Sequence, residues 1–145
     1  MTAAARRAVV DLDQNATTAL DPRVLEAMLP YLREHHGNPS SACRLGHRTR
    51  TAVEDARARI AACLGVVPDE IVLTASGTEA DNLALRGVSR ARRKLSDHLI
   101  TSAIEHHAVL RTCRDLARQG SRLTIVRPDS DGVVAPDALR RALSE

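Results

Sequence analysis

The chain has 145 residues, of which 43% are hydrophobic and 27% are charged, and its formal net charge is +3. This composition is typical of a globular domain and excludes a disordered or fibrous chain. No apolar run approaches the ~20 residues that a membrane-spanning helix needs, and no apolar signal segment follows Arg6 and Arg7, so we expect no membrane partner and no signal peptide.

Two further counts narrow the expected partners and compartment. Tyr31 is the only residue of the Phe, Trp and Tyr set, and the basic residues form no long block, so nucleic acid is not expected as a partner. The three cysteines include no C-x-x-C pair, which indicates neither a disulfide framework nor a metal site. The cytoplasm is therefore the expected compartment.

In the first half of the chain, the patterns predict two helices. Asp21 and Pro22 are typical of an N-cap followed by proline at the first helical position, and Pro30 is expected to kink or end that helix. Residues 35–46 are rich in Gly, Asn, Pro and Ser and predict a loop. A second apolar stripe follows and ends at Gly65, where a C-terminal cap belongs.

In the second half, strands and helices are predicted to alternate. The elements are a strand over Glu70–Ala75, a helix from Thr78 to about Arg93, a strand over His98–Ala103, a helix over His107–Gln119, a strand over Arg122–Val126 and a helix over Pro136–Leu143. This alternation predicts an α/β fold with a mostly parallel sheet.

Two segments that follow predicted strands carry chemistry. In residues 74–82, the first amides of a helix and the hydroxyls of Ser76 and Thr78 could hold an anion, with Gly77 admitting it to the backbone; alternatively, Thr78 is simply an N-cap. In residues 101–109, His106 could stack on a ring or exchange protons, or the segment could simply start a helix. Both segments should lie at the carboxyl edge of the sheet, where ligands of parallel sheets bind.

Four segments taken together resemble one known family. They read LDQNATT at residues 12–18, GNPSS at 37–41, SGTEADN at 76–82 and TSAIEHHAV at 101–109. In this order, they resemble the N-terminal part of the cysteine desulfurases, in the class V aminotransferase group of pyridoxal-phosphate (PLP) enzymes. The resemblance runs from about Val10 to Leu143 and covers roughly a third of a family member.

The resemblance implies the N-terminal part of a three-layer α/β/α fold of PLP fold type I. About residues 1–65 would form an N-terminal arm and helices, and about 66–145 the start of the large PLP-binding domain. In that fold, the strand over Glu70–Ala75 lies at one sheet edge and the other two predicted strands lie together at the opposite end. Local reasoning instead makes all three strands neighbours in one small sheet. If the family arrangement holds, we expect the isolated chain to be poorly stable.

The resemblance also implies roles for site residues. Gly77 and Thr78 match the positions that hold the PLP phosphate, and His106 matches the catalytic histidine that stacks on the pyridine ring and transfers protons. Asn15 and Asn38 would line the approach to the substrate. Asp81 and Asn82 match the family pattern, but we first expect them to serve packing and the start of the helix.

The implied reaction removes sulfur from L-cysteine, releases L-alanine and leaves an enzyme persulfide for iron–sulfur cluster or thio-cofactor assembly. PLP, held as a Schiff base by a lysine, acts as the electron sink. The implied partners are a second copy in a homodimer or a complementary chain, and a sulfur-acceptor scaffold protein.

Two parts of that machinery have no match in this sequence. Lys94, the single lysine, ends a basic run and is not expected to form the Schiff base. Cys63 and Cys113 fall on apolar helix faces and are expected to be buried structural thiols. Cys43 replaces the histidine that many family members carry after the GNPSS loop, and it does not match the sulfur-accepting cysteine. We therefore expect this chain to be incomplete and inactive alone.

Other functions remain open at this point. The chain could belong to another class V PLP lyase or aminotransferase, such as a selenocysteine lyase. It could also be a non-catalytic module that binds phosphate or PLP, or that pairs with a full-length homologue.

Overall fold

A computed structural model describes residues 10–92 and 97–144 of the chain. The chain divides into two compact units, one ending at Ile71 and the other beginning at Val72. Within the described ranges, no helix is long and apolar enough to cross a membrane.

In its described residues, the first unit contains two α-helices. Helix α1 spans Pro22–Arg33, and the Asp21 carboxylate caps it by accepting the Arg23 amide at 2.8 Å, as predicted. The hydrogen-bonded Arg23 side chain also holds the pKa of the Asp21 carboxyl below its ordinary value. Pro30 does not end the helix at once, because its carbonyl still accepts the amide of Glu34 after the last turn.

Helix α2 spans Arg44–Leu64 and ends at Gly65, whose φ of 70° is the left-handed cap conformation that the sequence predicts. The helix begins earlier than expected, since the predicted loop over residues 35–46 gives way to it at Arg44. A 3₁₀ turn over Pro68–Glu70 follows. The Arg57 side chain donates to the carbonyl of Ile71.

The loop before α2 lies tightly against the first turn of that helix. A Cβ placed on Gly46 would come within 2.4 Å of the Ser41 carbonyl oxygen and 2.6 Å of the Asn38 carbonyl oxygen. Arg50 holds the loop from the next turn, donating from Nε to the Pro39 carbonyl at 2.8 Å. Only glycine therefore allows this close approach of loop and helix.

The second unit is a βαβ unit with two further helices. Its elements are α3 (Gly77–Arg92), β1 (His98–Ser102), α4 (His107–Arg118), β2 (Arg122–Val126) and α5 (Pro136–Ser144). Strands β1 and β2 pair in parallel, with His98 opposite Arg122 and Ser102 opposite Val126. Helix α4 packs against both strands and against α3, and α5 packs against both strands. The core forms where these elements meet, around Leu110, Cys113, Leu116, Val126 and Ala142.

One predicted strand is absent. Residues 71–75 form no strand, and the described sheet contains only β1 and β2. A strand needs a partner to pair with its amides and carbonyls, and neither described strand lies beside this segment. The local expectation of three neighbouring strands was therefore wrong. The pairing of β1 with β2 is the arrangement that the family resemblance implies.

Candidate active site

The turn that opens α3 is capped by a serine. Ser76 Oγ accepts the Glu79 amide at 3.2 Å, and the Glu79 carboxylate accepts the Ala75 amide at 2.8 Å. The simpler alternative, in which Thr78 is the N-cap, is wrong because the helix already begins at Gly77. The Ser76 hydroxyl uses a lone pair in this cap, so its hydrogen stays available to a ligand.

Several donors in this turn have no protein partner. Among the described residues, none accepts a hydrogen bond from the amides of Gly77 and Thr78, and none pairs with the Thr78 hydroxyl. Both residues are exposed, and a Cβ placed on Gly77 would meet no atom within 4 Å. Free amides at a helix N-terminus, together with nearby hydroxyls, form the donor set that binds a phosphate group. The residues present therefore fit a phosphorylated cofactor.

The histidine predicted at the second segment caps α4. His106 Nδ1 accepts the Ala108 amide at 3.1 Å. Because Nδ1 is the acceptor, the neutral ring carries its proton on Nε2. The ring is exposed, and the neighbouring ring of His107 lies 6.0 Å away between centroids. The residue thus starts a helix and also presents an Nε2 proton at the surface.

Thr78 and His106 line the same cleft. The cleft has a volume of about 510 Å³ and lies along the surfaces of α3 and α4. Three arginines and one aspartate also line it, namely Arg86, Arg111, Arg118 and Asp115. This excess of positive charge favours an anionic ligand. Gly77 precedes Thr78 in the same turn but is not among the described residues that line the cleft.

Polar contacts between residues that line this cleft join the two helices. Arg86 Nη1 lies 2.7 Å from the Asp115 carboxylate, with both side chains about one-third exposed. The Thr112 hydroxyl lies 2.7 Å from Asn82 Oδ1. Helix α3 has no buried residue, and these polar contacts add to its packing against α4.

Asn15 and Asn38, the predicted substrate-approach residues, lie in the first unit. The side-chain oxygen of Asn38 accepts the Ser40 amide at 2.9 Å, which forms an Asx turn in the loop before α2. Both asparagines are exposed. Their role toward a substrate stays a prediction.

The three cysteines differ in exposure. Cys113 is 2% exposed, as predicted, and burial raises the pKa of its thiol. Cys63 is exposed, so the expectation of a buried thiol was wrong there. Its neighbour Leu64 is 66% exposed, since the described part of this unit does not cover that face of α2. Cys43 is exposed at the start of α2. Lys94 lies outside the described residues.

Sequence reasoning missed two contributors to this site. Ser76 was noted for its hydroxyl but not as the cap, although serine three positions before Glu79 is a capping-box pattern. Thr112 drew no attention, although it lies among the apolar residues of the buried face of α4. A hydroxyl at such a position needs a partner, and that requirement is the signal that could have found it.

The chain matches one family model and is similar to curated proteins over most of its length. The family model described as aminotransferase class-V matches residues 10–145. Over 134 residues, the chain is 48% identical to a protein named cysteine desulfurase IscS from Dictyoglomus turgidum, which covers 92% of this chain and 34% of that relative. A protein of the same name from Methanosarcina thermophila is 46% identical over 136 residues, covering 94% of this chain and 34% of the relative.

Solved structures give the same result. A structure titled NifS-like protein superposes with a TM-score of 0.81 at 42% identity, covering 89% of this chain and 35% of that chain. A second structure, titled SspA in complex with cysteine, has a TM-score of 0.79 at 37% identity and covers 90% of this chain and 38% of that chain. The α/β architecture of β1, α4 and β2 is therefore the N-terminal part of the fold of these proteins. The chain spans about a third of the length of the curated relatives it matches.

Proposed function

We propose that this chain, which belongs to the aminotransferase class-V family, supplies the cofactor-phosphate site and the catalytic histidine of a PLP-dependent cysteine desulfurase. In this proposal, residues from about 66 onward begin the large PLP-binding domain, and about residues 1–65 form the arm and helices that precede it. The cytoplasm is the proposed compartment, which agrees with three cysteines that are all free.

The observation that carries the proposal is that Thr78 and His106 line one cleft. They begin different helices and are 28 positions apart in the sequence. A phosphorylated ring compound needs an anion site and a ring contact a short distance apart, and these two residues offer both. Arginines along the cleft add the positive charge that such a ligand requires.

The start of α3 would hold the phosphate. The free amides of Gly77 and Thr78 and the hydroxyls of Thr78 and Ser76 would donate to its oxygens, and the positive end of the helix dipole would stabilise its charge. The open space beside the Gly77 α-carbon leaves the backbone accessible to the ligand.

His106 would contact the ring and move a proton. PLP, when bound, supplies an electron sink for the charge that develops on the substrate carbon. The bond from the Ala108 amide to Nδ1 fixes the orientation of the imidazole and leaves the Nε2–H group as the donor that the ring presents to a ligand.

Cysteine is the proposed substrate. The relatives from Dictyoglomus turgidum and Methanosarcina thermophila are both named cysteine desulfurase, and a structural neighbour carries cysteine in its title. The proposed products are L-alanine and an enzyme persulfide for iron–sulfur cluster or thio-cofactor assembly. The proposed partners are a second copy or a complementary chain, and a sulfur-acceptor scaffold protein.

A binding experiment tests the cofactor site. Pyridoxine 5'-phosphate is a suitable probe because it has no aldehyde to react with amines, and its affinity is measured by calorimetry beside inorganic phosphate and unphosphorylated pyridoxine. We expect Thr78→Val to weaken both phosphate-bearing ligands by about tenfold, and Thr78→Ser, which keeps the hydroxyl, to bind almost normally. Equal affinities for the unaltered chain and Thr78→Val would remove Thr78 from the site.

A second variant tests the histidine without disturbing the helix. In His106→Asn the cap acceptor is kept and only the ring is lost, because asparagine is a good N-cap. We expect weaker binding of pyridoxine 5'-phosphate and unchanged binding of inorganic phosphate. Loss of affinity for both ligands, or for neither, would contradict the ring-contact role.

The desulfurase assignment has its own test. The chain is mixed with PLP, L-cysteine, a dithiol reductant that releases persulfide sulfur as sulfide, and a polypeptide equivalent to the remaining two-thirds of the Dictyoglomus relative, and sulfide release is measured. We expect sulfide and alanine from the mixture and neither from the chain alone. A mixture that binds PLP but releases no sulfide from cysteine would point to another class V reaction.

A further inference from the structure

A chain of hydrogen bonds links the interior of α4 to the first turn of α3. Thr112, on the buried face of α4, is 3% exposed. Its Oγ1 lies 2.7 Å from Asn82 Oδ1, and Asn82 Nδ2 lies 2.8 Å from the carbonyl oxygen of Thr78. The Asn82 amide therefore joins a buried hydroxyl of one helix to the residue whose amide and hydroxyl open the other.

The direction of these bonds is fixed by their chemistry. The Thr78 carbonyl can only accept, so the NH₂ group of Asn82 must face it. The Asn82 oxygen then faces Thr112, whose hydroxyl must donate, and it also accepts from Arg86 Nε at 3.4 Å. A flipped Asn82 amide would set two oxygens against each other at Thr78. These two hydrogen bonds, from Thr112 to Asn82 and from Asn82 to Thr78, form a relay that has a single arrangement. The relay holds the Asn82 side chain in one orientation.

The relay matters for the position of α3 on α4. No residue of α3 is buried and Leu85 is half-buried, so polar contacts with α4 add to the apolar ones in fixing the rotation of this helix. The other described polar contact with α4, Arg86 to Asp115, lies further along the helix, one turn beyond Asn82, and both of its side chains are partly exposed. Asn82 is the closer of the two to the anion-binding turn.

We propose that Asn82 and Thr112 are positioning residues that hold the Thr78 turn in register with α4, so that the phosphate donors and His106 face the same cleft. The proposal rests on the proposed function, since it assigns the relay to the phosphate site. Both residues also line the cleft shared by Thr78 and His106, and the role assigned to them is to position Thr78 rather than to bind the phosphate. Both act through Thr78.

The test measures the affinity of the chain for inorganic phosphate. Thr112→Val keeps the shape of the side chain and removes only the hydroxyl, and we expect it to weaken phosphate binding by about threefold to tenfold. Thr112→Ser keeps the hydroxyl and should bind within about twofold of the unaltered chain. Rescue by serine separates the hydrogen bond from the general effect of changing a core residue.

Thr101→Val is the matched control. Thr101 is also buried, at 8% exposed, and belongs to the same unit, but it lies in β1, which does not pack against α3. We expect this variant to lose stability and to bind phosphate normally. If Thr101→Val weakens binding as much as Thr112→Val does, the effect is a general loosening of the unit and the positioning role is wrong.

A double-mutant cycle with Asn82→Leu completes the test and does not depend on Thr112→Val alone. If both residues act through one relay, the double variant should bind phosphate no more weakly than Asn82→Leu does. Additive losses would overturn the relay.

The measurements distinguish failure of the proposed phosphate site from failure of the positioning role. An unaltered chain that does not bind phosphate shows that the proposed phosphate site is wrong, and the positioning role falls with it. A chain that binds phosphate equally well with and without the Thr112 hydroxyl refutes the positioning role only.

Discussion

Helices α1 and α4 carry the same sequence signal and differ in burial. Each has 12 residues and an apolar stripe on one face. No residue of α1 is buried, whereas five residues of α4 are buried, namely Ala108, Leu110, Thr112, Cys113 and Leu116. An apolar stripe therefore predicts which face of a helix would be buried, but not whether another element is present to bury it.

The difference lies in what each helix meets within its own unit. Helix α4 follows β1 and precedes β2, and the parallel pair of strands gives it a surface to pack on. In the described part of its unit, α1 has no other helix or strand closely packed against it. Val24, Met28 and Leu32 therefore remain exposed along its stripe.

The largest expected effect comes from truncating one leucine in each helix. Leu116 is 5% exposed, and Leu116→Ala should lower the free energy of unfolding of its unit by about 2–5 kcal/mol through lost burial and a cavity. Leu32 is 66% exposed, and Leu32→Ala should change stability by less than about 0.5 kcal/mol. Amide hydrogen exchange in α4 and α1 measures both effects locally. A large effect at Leu32 would show that α1 is covered in solution.

Replacing a helical glycine by alanine should have a smaller effect on stability, and here the larger change is expected in the first unit. Gly46→Ala, in the sparsely buried first unit, should cost about 1–3 kcal/mol because the new methyl group meets the carbonyl oxygens of Ser41 and Asn38. Gly87→Ala, in α3, meets no atom within 4 Å and should stabilise the helix by about 0.5–1 kcal/mol. Urea denaturation followed by circular dichroism measures the two changes. A neutral Gly46→Ala would mean that the loop does not lie against α2.

The third prediction compares the reactivity of the three thiols in the unaltered chain. Cys43 and Cys63 are exposed and should react with a thiol-specific alkylating agent within the mixing phase at pH 8. Cys113 should react far more slowly, because it is buried and burial raises the pKa of its thiol, so less of it is present as thiolate. Mass spectrometry of peptides from timed samples assigns each rate. Equal rates for all three would show that the core around α4 is open in solution.

Much of the local structure could be predicted from the sequence. The Asp21 cap and the Gly65 cap are confirmed, because each depends on residues within a few positions of it. The strand over Arg122–Val126 is also confirmed, and β1 is the partner that it needs. The predicted strand over Glu70–Ala75 and the buried Cys63 were wrong. Both of those predictions required a partner surface, and no pattern within the segment itself shows whether one is there.

The sequence by itself determined the order of helices and strands in the second half apart from the strand over Glu70–Ala75, most of the helix ends, and the family to which the chain belongs. Only the tertiary structure decided that Thr78 and His106 share a cleft, that Thr112 reaches Asn82, and that α4 is buried while α1 is not. Caps and periodicity act over one or two turns of chain and can be predicted from neighbouring residues. Burial and side-chain pairing join residues about 30 positions apart, and they exist only when packing brings two surfaces together.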